Sequence, residues 1–129
     1  MQIYFDGGAA PNPGLCHCAI VVDGEVMEAT DLGYGTNNIA EWTALLWALE
    51  TAYSRKATDV EIIGDSMLVV MQANGFWKIK KKEFIPFKLE ADRLRKLFKT
   101  CVIKQVGRDL NIAGHQIEAT LKARPKKKP

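Results

Sequence analysis

Three acidic residues in this 129-residue chain combine type and spacing in a way that could do chemistry. Phe5-Asp6-Gly7 and Gly64-Asp65-Ser66 each place an aspartate at the carboxyl end of an apolar run, where ligands sit in open α/β sheets. Between them in sequence, Glu41 shares a helical stripe with Ala44, Leu45, Ala48, Leu49 and Ala52. A carboxylate on a core-facing stripe costs several kcal/mol unless it is paired or metal-bound. Three converging acids describe a hard-cation site of the Mg²⁺ kind. Each acid also has a plainer reading. Asn38-Ile39-Ala40-Glu41 fits a helix capping box, Asp6 a turn residue, and Asp65 a helix-entry residue.

The elements that must position these acids follow from periodicity and punctuation. Residues 2–6 alternate as a short strand, and residues 7–14 (Gly-Gly-Ala-Ala-Pro-Asn-Pro-Gly) are turn material. A second strand is expected over 15–22 and a third over 25–30, joined by an Asp23-Gly24 hairpin turn. The spacing predicts a helix over 38–53, then an apolar strand over 59–64 in a central, doubly covered position. Ser66 can cap a short helix reaching about Ala73. A basic, aromatic loop occupies 74–83. A helix from near Pro86 to about Lys99, a strand over 101–106 and a last helix over 110–122 complete the series. The order β-β-β-α-β-α-α-β-α implies an α/β fold with one mixed sheet and helices packed on it. Residues 1–122 form one domain, and the basic tail over 123–129 is expected to be disordered.

Composition narrows the class. Apolar residues at 47% and charged residues at 26% exclude wholesale disorder, and no apolar run approaches the ~20 residues of a bilayer-spanning helix. The start Met1-Gln2-Ile3-Tyr4-Phe5-Asp6 has no basic region before an apolar one, unlike a signal peptide. Three cysteines cannot all pair, so a reducing cytoplasm is expected. The net charge of +3 is unevenly distributed: residues 1–54 carry seven acids and no Lys or Arg, and all 18 basic residues follow. That asymmetry fits a polyanion gripped by the second half and a cation held by the first; solvated helix faces would give the same count. Cys16-His17-Cys18 is not read as a zinc site. On a strand the two thiols share a face with Ile20 and Val22 while His17 points away, and no second cysteine pair exists.

Over residues 1–121 the chain resembles the type I ribonuclease H family in its compact form, without the extended basic handle. The resemblance is carried by Tyr4-Phe5-Asp6-Gly7-Gly8 with Pro11-Asn12-Pro13-Gly14, and by Gly35-Thr36-Asn37-Asn38-Ile39-Ala40-Glu41. Gly64-Asp65-Ser66 with Gln72, and Val106-Gly107-Arg108 with Asn111, continue it in the family's order. It implies the ribonuclease H-like fold, a five-stranded mixed sheet with its first three strands antiparallel, flanked by helices. It also implies hydrolysis of the RNA strand of RNA–DNA hybrids, leaving 5′-phosphate and 3′-hydroxyl ends. Asp6, Glu41 and Asp65 would hold two divalent ions, Mg²⁺ or Mn²⁺, roughly 4 Å apart. Asn12, Asn37, Asn38 and Gln72 match positions that touch the hybrid's minor groove, where neutral amides can reach base edges and 2′-hydroxyls. Thr36 matches a residue that helps hold a DNA phosphate. Lys78, Lys80 and their neighbours, with Trp77, would add a salt-sensitive grip on the backbone. A monomer bound to hybrid, away from membranes, is the expected state.

Two departures from the pattern stand out. The family's fourth metal ligand is usually an Asp four residues after the Asn of the last motif, and here that position is His115. Histidine suits Mn²⁺ better than Mg²⁺, so a weakly held second ion with an Mn²⁺ preference is expected. The alternatives are that Asn111 supplies its amide oxygen, or that His115 fills a half-exposed helix position. The family's flexible-loop His is also missing, and Arg108 stands in that region; it can bind phosphate bidentately or pair with an acid. The competing reading of the whole chain is a domain that binds hybrid or duplex RNA but has lost turnover.

Overall fold

A computed structural model of the protein describes residues 1–123; the basic tail from Arg124 lies outside the described residues. Strands β1 (Gln2–Ala9), β2 (Gly14–Val22), β3 (Glu25–Ala29), β5 (Asp59–Gly64) and β6 (Thr100–Gln105) lie in the order β3-β2-β1-β5-β6. The first three are antiparallel, while β5 runs parallel to β1 and β6 parallel to β5. A two-residue strand, β4 (Tyr34–Gly35), pairs with the start of β2 and makes a sixth. Helices α1 (Asn37–Ser54), α2 (Met67–Ala73), α3 (Ile85–Arg95) and α4 (Ile112–Ala123) flank the sheet. Among the described residues no helix is long and apolar enough to cross a membrane.

The alternation along β1 and β2 divides the core in two. Ile3, Phe5, Cys18, Ile20 and Val22 pack beneath Ala44, Leu45, Ala48, Leu49 and Ala52 of α1. Tyr4, Ala19 and Val21 face the other way, against Ala113 and Ile117 of α4. The β2–β3 hairpin turns at Asp23 and Gly24, with φ of 45° and 90°. These values suit the primed turns that match strand twist.

Helix α3 ends at Arg95, short of the expected Lys99, and two further boundaries that differ from expectation bear on the site. First, β1 does not stop at Asp6: it stays paired with β2 through Ala9↔Cys16, because the antiparallel partner satisfies the backbone of the glycine-rich stretch. Its parallel ladder to β5 does end early, at Tyr4↔Ile63. Asp6 therefore sits just past the point where β1 and β5 separate. Second, α4 starts at Ile112 rather than Leu110, after a 3-10 turn over Arg108–Leu110. Asn111, fully buried, accepts from the Ala113 backbone N–H at 3.2 Å and opens the helix.

Candidate active site

Asp6 on β1, Glu41 on α1 and Asp65 just after β5 each offer a carboxylate oxygen within 4.8 Å of the others. The close approach of α1 to β1 is set at Gly7. A Cβ there would lie 2.2 Å from the Ala40 carbonyl carbon and 2.6 Å from the Glu41 nitrogen, so only glycine lets the helix settle this near. The capping-box reading of Glu41 does not hold. Thr36 caps α1 by accepting from the Ile39 N–H at 3.3 Å, which leaves Glu41 a turn further in, buried and aimed at Asp6. Ser66 caps α2 in the same way, accepting from the Val69 N–H, and holds the backbone beside Asp65.

Burial dominates the electrostatics of these acids. Asp6 is 1% exposed and Glu41 6%, and neither Asp6 Oδ1 nor Glu41 Oε2 has a hydrogen-bond partner. Burial pushes the Glu41 carboxyl well above its ordinary range, helped by a hydrogen bond to Asp6 and the charges of Asp6 and Asp65. Burial also raises Asp6, partly offset by that same hydrogen bond. Orphaned buried carboxylate oxygens are costly, and an all-oxygen donor set is what a hard divalent ion takes. The residues present fit such an ion.

Arg108 is the cation nearest to them. Its guanidinium lies 3.1 Å from Asp65 Oδ2 and 3.6 Å from Asp6 Oδ1, and its other terminal nitrogen lies 3.1 Å from Glu118 Oε1. Arg108 is thus paired with three acids, Asp6, Asp65 and Glu118. Asn111 holds the floor of the site, its amide donating to the Phe5 carbonyl at 3.0 Å and to Asp65 Oδ2 at 3.1 Å. Asn111 thus orients Asp65, while its oxygen accepts from the Ala113 N–H.

His115 is not brought into the cluster. It is exposed on α4, and the residue facing the acids is its neighbour Gly114, whose Cβ would lie 3.3 Å from Asp6 Oδ2 and 3.5 Å from Asp65 Oδ2. Successive helical residues are turned by about 100°, so a helix that aims position 114 at the acids aims 115 past them. The donors that do converge are all carboxylates.

A cleft of about 390 Å³ opens over the acids, lined by Asn37, Asn38, Ser66, Arg108 and Glu118 among others. Asn12 and Asn37 tie its rim together: Asn12 Oδ1 accepts from the Asn37 N–H at 3.0 Å, and Asn37 Oδ1 accepts from the Ala9 N–H at 2.8 Å. A second hollow of about 520 Å³ is formed by Asn38, Gln72, Trp77, Lys78, Lys80 and Lys81 over Leu68, Phe76 and Phe84. Asn38 lines both. Gln72 is 4% exposed with an unpartnered Oε1. Cys18 lies in the core, its thiol pushed up to about 12 by burial, and His17 is buried toward α4; the strand geometry separates them as expected.

A family model described as reverse transcriptase-like matches residues 16–117. The chain is 36% identical over 116 residues to a Halobacterium salinarum protein named ribonuclease HI, covering 86% of this chain and 58% of that one. The crystal structure of ribonuclease H1 from the same archaeon matches with a TM-score of 0.80 and 34% identity, over 95% of this chain and 98% of that chain. The chain belongs to the ribonuclease H family. A Mycobacterium tuberculosis protein named as bifunctional is 33% identical over 112 residues, 82% of this chain but 31% of its own length; this chain thus spans about a third of that relative. A further ribonuclease H structure, that of the LC11 enzyme in complex with an RNA/DNA hybrid, aligns over 93% of this chain and 98% of that one, with a TM-score of 0.78 and 27% identity.

Within this ribonuclease H frame, sequence reasoning missed Glu118 and the two glycines. Gly7 sits next to a motif aspartate and was readable as a close-approach position. Glu118 was legible only as one turn beyond Gly114, which no spacing rule singles out before the helix phase is known.

Proposed function

We propose that this chain is a ribonuclease H that hydrolyses the RNA strand of RNA–DNA hybrids with two divalent ions, Mg²⁺ or Mn²⁺. The observation that carries the reading is the set of converging carboxylates, Asp6, Glu41 and Asp65, with Asp6 Oδ1 and Glu41 Oε2 buried and without a hydrogen-bond partner beneath an open cleft. The ribonuclease H relatives, one of them solved with an RNA/DNA hybrid, supply the substrate class. Bound ions supply a water of lowered pKa and charge stabilisation for the leaving oxygen.

The chain's own residues do the rest. Asp6 and Glu41 present oxygens from rigid, buried backbone, and Asn111 fixes the orientation of Asp65. Asn12 and Asn37 have committed their oxygens to the rim, which leaves amide donors for base edges and 2′-hydroxyls along a minor groove, with Asn38 and Gln72 continuing the line. Thr36, at the N-terminus of α1, would help hold a DNA phosphate through its hydroxyl proton, its oxygen being engaged by the Ile39 N–H. Trp77, Lys78 and Lys80 grip the backbone beyond the site. Arg108 carries charge that a phosphate can claim bidentately once its acids are otherwise satisfied.

The test is an end-labelled RNA annealed to DNA, beside matched RNA–RNA and DNA–DNA duplexes, incubated in Mg²⁺, Mn²⁺ or EDTA. Cleavage of the hybrid alone, stopped by EDTA and by Asp65→Asn, is the expected result. Hybrid binding with no cleavage in either ion would replace the enzyme with a binding domain.

A further inference from the structure

The position four residues after Asn111 is exposed and outside the acid cluster, yet a fourth carboxylate, that of Glu118, lines the same cleft. On a helix each side chain leans toward the N-terminus and covers the turn before its own Cα. For Glu118 that turn begins at Gly114, which has no side chain, and a Cβ at 114 would stand 3.3 Å from Asp6 Oδ2 and 3.6 Å from an Arg108 nitrogen. The missing side chain leaves a lane along α4 from Glu118 down to Asp6 and Asp65. In the structure the lane is filled by the Arg108 guanidinium, which touches Asp65 Oδ2 and Glu118 Oε1 at 3.1 Å each and stands 3.6 Å from Asp6 Oδ1. Asp6 Oδ1, on the wall of this lane and buried, has no hydrogen-bond partner.

We infer that Arg108 is the resident counter-ion of a cation position bounded by Asp6, Asp65 and Glu118, and that a divalent ion entering there displaces the guanidinium and takes Glu118 as a ligand, the centre's fourth carboxylate. The inference rests on the metal-centre reading above and assigns the fourth oxygen to position 118 instead of 115. A guanidinium offers one positive charge spread over a plane, whereas a divalent ion offers two charges at a point, so three acids at one corner favour the exchange. Displacement also frees Arg108, beside the cleft, to meet a phosphate. The swap exchanges one cation for another, and no covalent step is involved.

Calorimetric titration of Mn²⁺ into the metal-free protein tests this without any turnover. Glu118→Gln, a half-exposed and isosteric change, is expected to weaken the weaker Mn²⁺ event by about tenfold or more, the scale on which metal sites respond to loss of a supporting carboxylate. Arg108→Ala is expected to tighten the same event, because the competing cation is gone, and His115→Ala to leave it unmoved. If Glu118→Gln titrates like wild type while Asp65→Asn loses binding, the inference about Glu118 is overturned and the carboxylate centre survives. Unchanged or weaker Mn²⁺ binding by Arg108→Ala overturns the displacement. A wild-type protein that takes up no Mn²⁺ removes the metal centre itself, and this inference with it.

Discussion

The carboxylate corner and the basic hollow beside it are neighbours that share Asn38, yet they are built on opposite terms. At the corner, Asp6 and Glu41 are buried on a strand and a helix that Gly7 allows to touch, and their unpartnered oxygens hold electrostatic stress. In the hollow, Lys78, Lys80 and Lys81 are exposed, Trp77 is 44% exposed and Phe76 75%, and the segment is a loop that touches the core through Ile79 and has its base at the end of α2. That base is firm: Arg95 donates to the Ala73 carbonyl and to Asn74 Oδ1, and Asn74 donates to the Ile103 carbonyl. Precision and desolvation belong to the corner, where charges act at short range with little screening. Adaptable, salt-screened attraction belongs to the hollow. The molecule thus separates the groups suited to chemistry from those suited to grip.

Changes at the two regions should therefore fail in different ways. The largest effect is expected from Asp65→Asn, which should lower the cleavage rate by roughly 10²–10³ or more while hybrid affinity holds or improves; a filter-binding assay beside the rate separates the two. Replacing Lys80, Lys81 and Lys82 with Ala should do the converse. Affinity should fall tens-fold near physiological salt, and the slope of log K against log salt should flatten by about one for each phosphate that is no longer neutralised. An unaltered slope would take the loop out of the interface. Trp77→Ala should cost about tenfold in affinity with little change in the salt slope, since an aromatic face contributes stacking rather than charge.

A smaller effect, on stability, probes the stress at the corner directly. Glu41 and Asp6 are raised by burial, so the folded, metal-free protein binds more protons than the unfolded chain. Its stability should be fullest below the ordinary carboxylate range, about pH 4, and should decline as pH rises through the raised values. In EDTA, Glu41→Gln should flatten that decline and raise the Tm at pH 7 by on the order of 5 °C, about 1 kcal/mol for a domain of this size. A melting curve across pH 4–8 checks it. No comparable pH dependence is expected from the lysine substitutions in the hollow.

Much of this was legible before the fold was known. Glu41 on a stripe with Ala44, Leu45, Ala48 and Leu49 announced a buried carboxylate, because helical period and residue type decide facing wherever a helix is long enough to be recognised. Asp23-Gly24 gave the hairpin, Ser66 the start of α2, and the alternation around Cys16-His17-Cys18 correctly separated the thiols from the histidine. The misreadings share a cause. Whether the chain over 7–9 is turn or strand depends on β2 being there to pair with it, and whether Thr36 or Asn38 opens α1 depends on which backbone N–H lies within reach. Where α4 begins depends on Asn111 finding the Phe5 carbonyl 106 residues away.

That last dependence marks the boundary between the two sources of information. Local chemistry along the chain determined the element types, the core faces and the three acids, since period, propensity and charge act between near neighbours. The phase of α4 against the sheet was decided only in three dimensions, by a buried side-chain hydrogen bond and the space left at Gly114. A rotation of one residue along that helix exchanges His115 for Gly114 at the acids and brings Glu118 to Arg108. Nothing in the spacing distinguishes those phases, because a helix's own geometry is indifferent to which face the rest of the protein chooses to cover.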